Sequence, residues 1–429
     1  MSNPTKQHDV LRKVAFRLLP MLMVLYFLNY LDKVNVGFAA LEMNADIGLS
    51  SAAYGLGAGL FFVGYFFFEV PSNLLLTKFG ARIWITRIVL TWGVIAASMS
   101  LVQGETSFYI LRFLLGVAEA GFFPGIVYLL GVWFPRQQRA RILSYVYAAA
   151  PVSFLLGSPV SAFLMDQGHG FAGMPGWRFM FAAEGLVTVV AGIVAFFVLV
   201  DRPTKAKWLT AQEGEELERR VAAEDAAVDA THNASSIRSA FTGRVFLLSF
   251  VYFGIAYGIY AVGFFLPQAI KGFEGQFGLT LSGMQIGLMS AIPYGFATAA
   301  MLYWSRRSDA RGERIYHVLI PALVGGVALT FSFALGSPFA VMAGITVAAI
   351  GMFCCIPVFW QIPASFLTGA AAAAGIGVIN SIGNLSGFFA PYLAGYLRDV
   401  TGSYQPGMLV AGLFMIASGF LVVLVAGPR

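Results

Sequence analysis

Twelve times along this chain a predominantly apolar stretch of about 20 residues or more recurs, at roughly 16–41, 51–77, 83–103, 106–133, 142–165, 178–200, 242–269, 281–304, 315–335, 338–360, 366–394 and 404–426. That length is what a helix needs to cross the hydrocarbon core of a bilayer. Lipid offers no partner to a free backbone amide or carbonyl, so each crossing must close its hydrogen bonds within itself as a helix. The expected fold class is an all-α membrane protein with twelve transmembrane helices. Composition agrees, because only 11% of the residues are charged where a soluble domain carries about a quarter.

Charge in the loops sets the orientation. Lys6, Arg12, Lys13 and Arg17 precede the first stretch, and Lys78 with Arg82, Arg136 with Arg139 and Arg141, and Arg306, Arg307, Arg311 and Arg314 fill every second short loop. The alternate loops hold little beyond Glu42, Asp46, Glu105, Asp166 and Lys271. Under the positive-inside rule both termini are cytoplasmic. The net charge of +6 is thus a topology signal, and nucleic acid is not an expected partner; the bilayer is. The first stretch is too long for a cleavable signal peptide and lacks a small-residue cleavage site. Cys354 and Cys355 are adjacent in one apolar span and read as small buried hydrophobes. The four histidines lie in or beside loops, so a proton crossing the membrane would have to ride on a carboxylate. No metal or other cofactor is implied.

Residues 201–241 interrupt the pattern with Asp201-Arg202-Pro203, a Glu-rich run from Glu213 to Arg220, and the polar stretch Thr231 to Ser236. They divide the chain into a six-helix half at 1–200, a cytoplasmic linker at 201–241 whose charges suit a solvated amphipathic helix, and a second six-helix half at 242–429. The halves echo each other, since Lys78-Phe-Gly-Ala-Arg82 follows the second span and Asp309-Ala-Arg-Gly-Glu-Arg314 the eighth, as expected for parallel repeats. Small residues such as Gly55, Gly57, Gly59, Gly383 and Gly387 read as close helix–helix contacts. The glycines near Gly55 follow no strand and so form no nucleotide fingerprint.

Against this background, charge inside two spans stands out. Asn29, Asp32 and Lys33 stand at i, i+3 and i+4 in the first span, sharing a stripe with Tyr26. Asp32 and Lys33 themselves diverge by about 100° around the axis, so they cannot simply neutralise each other. Arg112 and Glu119 in the fourth span are two turns apart on one face. Both pairs fall at similar depth in the first half. Ionisable groups at membrane depth generally face a protein-lined cavity and mark a substrate or ion path.

The order and spacing of several motifs resemble the anion:cation symporter family of the major facilitator superfamily. They are Tyr30-Leu-Asp-Lys-Val-Asn-Val-Gly37, Phe68-Glu-Val-Pro-Ser-Asn73, Arg112-x-x-x-Gly116, Ala118-Glu-Ala-Gly-Phe-Phe-Pro124, Gly176-Trp-Arg-Phe-Met-Phe181 with Glu184, and Asn380-Ser-Ile-Gly-Asn-Leu-Ser-Gly387. The likeness covers almost the whole chain apart from the termini and linker. It implies alternating access by two six-helix halves. It also implies proton-coupled import of a small organic carboxylate, whether tartrate-like, sugar acid or aromatic acid, across a bacterial inner membrane, with the protein working as a monomer. Lys33 and Arg112 would hold the anion while Asp32 and Glu119 exchange protons. Proton and anion occupancy would be linked reciprocally, because each changes the field at the other. Asn29, Tyr30, Tyr65, Tyr260, Trp360, Asn380 and Asn384 are the expected remaining substrate contacts, with Tyr252 and Tyr257 also near the opposite wall. Glu69 and Glu184 fit structural pairing with arginines.

Three departures qualify the likeness. Thr77 stands where relatives have an acid in the first cytoplasmic loop. Lys33 replaces an arginine of many relatives and so gives a point charge without a bidentate fork. Tyr147-Ala-Ala-Ala-Pro151 lacks the amide that sugar-acid transporters often carry in the fifth span. An exchanger or exporter of the same fold is the first rival reading and a transport-incompetent sensor the second. An enzyme is disfavoured because no nucleophile–base, metal-ligand or nucleotide pattern is present.

Overall fold

The computed structural model describes residues 4–231, 241–367 and 369–425, and every regular element among them is helical. Eleven segments are long and apolar enough to cross a bilayer, and they are taken here as spans one to ten and twelve. The first six are Asp9–Asp46, Ser51–Phe79, Ala81–Leu101, Glu105–Trp133, Arg141–Gly168 and Gly176–Val198. The others are Gly243–Lys271, Gly283–Arg311, Ile315–Ser332, Pro338–Ala364 and Gln405–Val425. The eleventh span consists of two abutting helices, Gly369–Asn384 and Ser386–Thr401. Neither is long enough to cross alone, and Thr368 before them lies outside the described residues.

Several helices depart from the apolar stretches for local reasons. The first runs Pro4–Asp46, so it projects well beyond the apolar core at both ends. The fourth is broken into Glu105–Glu119 and Phe122–Trp133. Between them Gly121 takes φ 84°, a left-handed conformation that glycine adopts without the strain a Cβ would bring. The break leaves Glu119 at a helix end in the middle of the bundle. The fifth is interrupted at Ala148, between Arg136–Tyr147 and Ala149–Gly168, three residues before Pro151, whose ring nitrogen cannot donate to the preceding turn.

Packing brings the two six-helix halves together across a central seam. The first span packs on the seventh, the second on the eleventh and the fifth on the eighth. The small residues make the close approaches possible. A Cβ on Gly116 would strike the carbonyl oxygen of Phe61, one on Gly383 the ring of Tyr252, and one on Gly387 the ring of Phe62.

Contacts between the halves close the outer side. Gly37 lies against the carbonyls of Gly263 and Phe264, and the Tyr54 hydroxyl donates to the Phe264 carbonyl at 3.0 Å. The Asp399 carboxylate accepts from the amides of Ser51 at 3.0 Å and Ala52 at 2.7 Å. It thereby caps the second span of the first half from the eleventh span of the second half.

The opposite side carries the basic loops. There Arg314 pairs with Asp309 at 2.9 Å, whereas the Thr77 hydroxyl in the equivalent loop only donates to the Leu74 carbonyl at 2.8 Å. The linker contains the helix Ala211–Thr231. It is held to the first half by stacking of Trp208 on Trp133 at 5.4 Å, by Lys13–Glu213 at 3.7 Å and by the Arg136 amide donating to Glu224 at 2.9 Å. The remainder of the expected polar stretch, residues 232–236, lies outside the described residues.

Candidate functional site

A central cavity of about 490 Å³, counted with its opening, lies on the inner side of the outer seal. Its wall consists of Tyr26, Asn29, Tyr30, Lys33, Phe61, Phe62, Tyr65, Phe123, Tyr147, Tyr252, Tyr260, Asn380 and Asn384. Nine of these thirteen are aromatic, so polar specificity rests on Lys33, three amides and the tyrosine hydroxyls. The first half provides the only charged lining residue among those described, and the second half supplies uncharged groups.

Lys33 is held by an amide, a carboxylate and aromatic rings. Its ammonium donates to Asn29 Oδ1 at 2.5 Å, lies 3.3 Å from Glu119 Oε2, and sits 5.0 Å from the centre of the Tyr30 ring and 5.8 Å from that of Tyr65. Asn29 Nδ2 donates to the same Glu119 oxygen at 2.6 Å. The i, i+4 spacing of Asn29 and Lys33 puts both on the stripe that faces the fourth span, and the break after Glu119 brings its carboxylate to meet them. Glu119 is completely buried, and its other oxygen, Oε1, has no hydrogen-bond partner among the described residues. An ion pair whose cation lines a cavity and whose anion keeps one free oxygen is poised to change partners.

Asp32 faces elsewhere, as the divergence of consecutive helical residues requires. Its Oδ2 accepts from Trp92 Nε1 at 2.5 Å and Thr188 Oγ1 at 3.2 Å, and its Oδ1 from Asn35 Nδ2 at 3.4 Å. It therefore lies against the third and sixth spans, behind the cavity wall. Arg112 is also withdrawn. It is 1% exposed, donates to the Ala58 carbonyl at 3.1 Å and sits 5.1 Å from the Phe61 ring centre. Lys33 lies 5.8 Å from that same ring, so Phe61, which lines the cavity, contacts both cations. The four charged residues expected to share one cavity are thus divided. Lys33 and Glu119 meet at its wall, while Asp32 and Arg112 are packed behind it.

The opposite wall follows the sequence more closely. The Tyr260 hydroxyl donates to Asn384 Oδ1 at 3.0 Å, and Asn380 Nδ2 donates to Glu69 Oε1 at 3.3 Å across the seam between the halves. Trp360 does not line the cavity but packs against Tyr252, 4.9 Å between ring centres, which does. Tyr257 is buried against Phe414 at 4.7 Å, away from the cavity. The recorded partners of Glu69 and Glu184 are amides and a hydroxyl, not the expected arginines. Glu184 accepts from Asn35 at 2.7 Å and Ser161 at 2.8 Å.

Sequence reasoning did not single out Trp92, Thr188, Asn35, Phe61, Phe62 or Phe123. Asn35 carried a usable signal, because it stands three residues after Asp32 on the same helical stripe. The phenylalanines carried none, being indistinguishable from the other apolar residues of their spans.

Comparison with known proteins adds four findings. The Major Facilitator Superfamily profile matches residues 22–391. A protein of Agrobacterium vitis named as a tartrate transporter is 50% identical over 424 residues, covering 98% of this chain and 96% of that one. A quinolone resistance transporter of Acinetobacter baumannii is 42% identical, covering 98% and 95%. Among solved structures, the xylose transporter XylE from E. coli, in a partially occluded inward open conformation, matches with a TM-score of 0.73 at 14% identity, covering 97% of this chain and all of that one.

Proposed function

This chain belongs to the major facilitator superfamily, and from that premise we propose that it is a proton-coupled symporter importing a small organic carboxylate across a bacterial inner membrane. Residues 1–200 and 242–429 act as the two moving bodies and 201–241 as their tether, alternating access to the central cavity. The A. vitis relative that bears the name of a tartrate transporter, similar over nearly its full length, favours a tartrate-like acid as cargo. A transporter rather than an enzyme is the reading these relatives support.

The observation that carries the proposal is the Lys33–Glu119–Asn29 triad. A substrate carboxylate entering the cavity competes with Glu119 for the Lys33 ammonium. Once the substrate takes that cation, Glu119 is left buried without its counter-charge, a costly state that protonation relieves. Anion and proton then bind together, and the proton cancels one carboxylate's charge in the loaded site through the closed intermediate. By reciprocal linkage, proton binding strengthens anion binding by the same factor. Asn29 holds Lys33 and Glu119 in register, so the exchange needs only a small displacement. Asn380, Asn384 and the tyrosine hydroxyls are placed to bond the rest of the substrate. Arg112, sequestered behind Phe61 here, supplies long-range positive potential and reaches the anion only when the wall rearranges.

A relative named for quinolone resistance favours a second reading, in which the same cavity expels its cargo. Purified protein in proteoliposomes separates the two. With labelled tartrate and related acids outside and an inward-directed proton gradient, symport gives accumulation above equilibrium. Export gives accumulation only when the gradient is reversed, and pure exchange responds to internal counter-substrate but not to the gradient.

A further inference from the structure

Glu184 is a buried carboxyl group that the cavity does not use. It lies in the sixth span, 3% exposed, and meets Asp32 (2% exposed) of the first span through Asn35 (1% exposed). The Asn35 amide nitrogen bridges the two acids, at 2.7 Å from Glu184 Oε2 and 3.4 Å from Asp32 Oδ1. Ser161 completes the surroundings of Glu184, and Trp92 and Thr188 those of Asp32. No ion pair to either acid is formed among the described residues. The charges acting on Asp32 at longer range are Lys33 of its own span and Arg112 and Glu119 of the fourth.

Two features of this cluster conflict with a pair of bare carboxylates. Two like charges joined by one amide, out of water and without a cation, repel each other strongly. In addition, Asn35 Oδ1 is buried and has no hydrogen-bond donor among the described residues. Buried polar atoms are ordinarily satisfied, and an orphan calls for an explanation. Every neighbouring side chain already engaged is a donor to the acids, whereas what Asn35 Oδ1 lacks is a donor to itself. A carboxyl O–H is that donor. An amide turned by about 180° about its last bond exchanges its nitrogen and oxygen. Oδ1 would then face the acids and accept from the protonated one, while the ionised one keeps its donors from Trp92 and Thr188 or from Ser161.

We propose that Asp32 and Glu184 share one proton through Asn35, which makes Glu184 a proton-holding residue of the transport cycle outside the substrate cavity. The proton is held as an O–H bond on one carboxyl at a time while the other acid stays ionised. Moving it breaks that O–H bond and forms one on the other carboxyl oxygen, and Asn35 orients to suit without itself carrying the proton. Because Asp32 belongs to the same helix as Lys33, the state of this proton is felt at the anion site. The part it plays in transport rests on the proton-coupled reading above; the shared proton itself does not.

The test is infrared difference spectroscopy of the purified full-length protein, titrated from about pH 5 to about pH 9. The wild type should show a protonated-carboxyl carbonyl band that survives in Glu119→Gln and disappears in Glu184→Gln. In Asp32→Asn the like charge is removed, so the band should persist but be lost at lower pH. A band unchanged in Glu184→Gln, or one that vanishes with Glu119→Gln alone, overturns the proposal. Should Glu184→Gln fail to fold, Asp32→Asn decides by itself, because an unshifted titration there also overturns it. In proteoliposomes, Glu184→Gln should flatten the pH dependence of tartrate affinity by one proton, about tenfold per pH unit. A purely structural residue would lower uptake equally at every pH. Failure of wild-type uptake under any gradient would refute the symport reading while leaving the spectroscopic result to decide the shared proton.

Discussion

Replacing Gly55 by alanine should push the two halves apart at their outer ends and drive the transporter toward its outward-open state. Gly55 lies at the start of the second span, where it meets the eleventh. A Cβ there would lie 2.8 Å from the Pro391 carbonyl carbon and 3.1 Å from Tyr392 Cα, and closer still to the Pro391 carbonyl oxygen. All three are backbone atoms, so no side chain can swing aside, and the helices must separate by roughly 1 Å to reach ordinary van der Waals distance. Overpacking of this kind typically costs about 1–3 kcal/mol. On the alternating-access reading this contact opens in the outward-open state, so the cost appears as a shift in the inward-to-outward ratio, about 5–150-fold. Double electron–electron resonance can read it, with spin labels on cysteines placed at Thr106, at the outer start of the fourth span, and at Gly336, in an outer loop of the other half, and with the buried Cys354 and Cys355 replaced. The distance distribution should gain or enlarge a long component. An unchanged distribution together with a lowered melting temperature would refute the reasoning, since it would mean that the strain is absorbed within each half.

Two further outcomes follow from single contacts. Asp399→Ala removes the carboxylate that caps the second span across the seam. A lost cap is worth about 1 kcal/mol, less for solvent exposure, so the same labels should report a shift in the same direction of no more than about fivefold. Trp92→Phe deletes the indole donor to Asp32 while keeping most of the packing. A hydrogen bond to a charged group contributes about 1.5–3 kcal/mol, so the pH profile of uptake should move to higher pH by about one to two units, with yield and monodispersity retained; an unmoved profile would show that Asp32 does not titrate in the cycle.

Much of this architecture is legible in the sequence because the bilayer is a severe solvent. Apolar length specifies the number of the spans and their approximate places with little help from tertiary structure, whereas their breaks and true ends depend on local chemistry such as Gly121 and Pro151. The site is legible where local geometry decides, as with Asn29 and Lys33 one turn apart on one stripe. Consecutive residues on a helix must diverge, which correctly implied that Asp32 and Lys33 need different partners. Depth alone, however, did not reveal that Asp32 turns to Trp92 and Thr188, or that Arg112 lies behind Phe61. Depth gives position along a helix, whereas access to a cavity depends on rotation about the axis and on which rings intervene. The amide and hydroxyl partners of Glu184 were hidden for a similar reason, since Asn35 and Ser161 come from helices whose mutual approach only the folded bundle determines.

The central claim is that Glu119 exchanges Lys33 for a proton when the anion arrives. Its most direct test compares accumulation and counterflow of tartrate in proteoliposomes containing wild type or Glu119→Gln. The neutral amide cannot carry the proton, so the variant should lose accumulation driven by an acidic exterior while retaining counterflow between two tartrate pools. Gradient-driven accumulation that persists in Glu119→Gln would contradict the account.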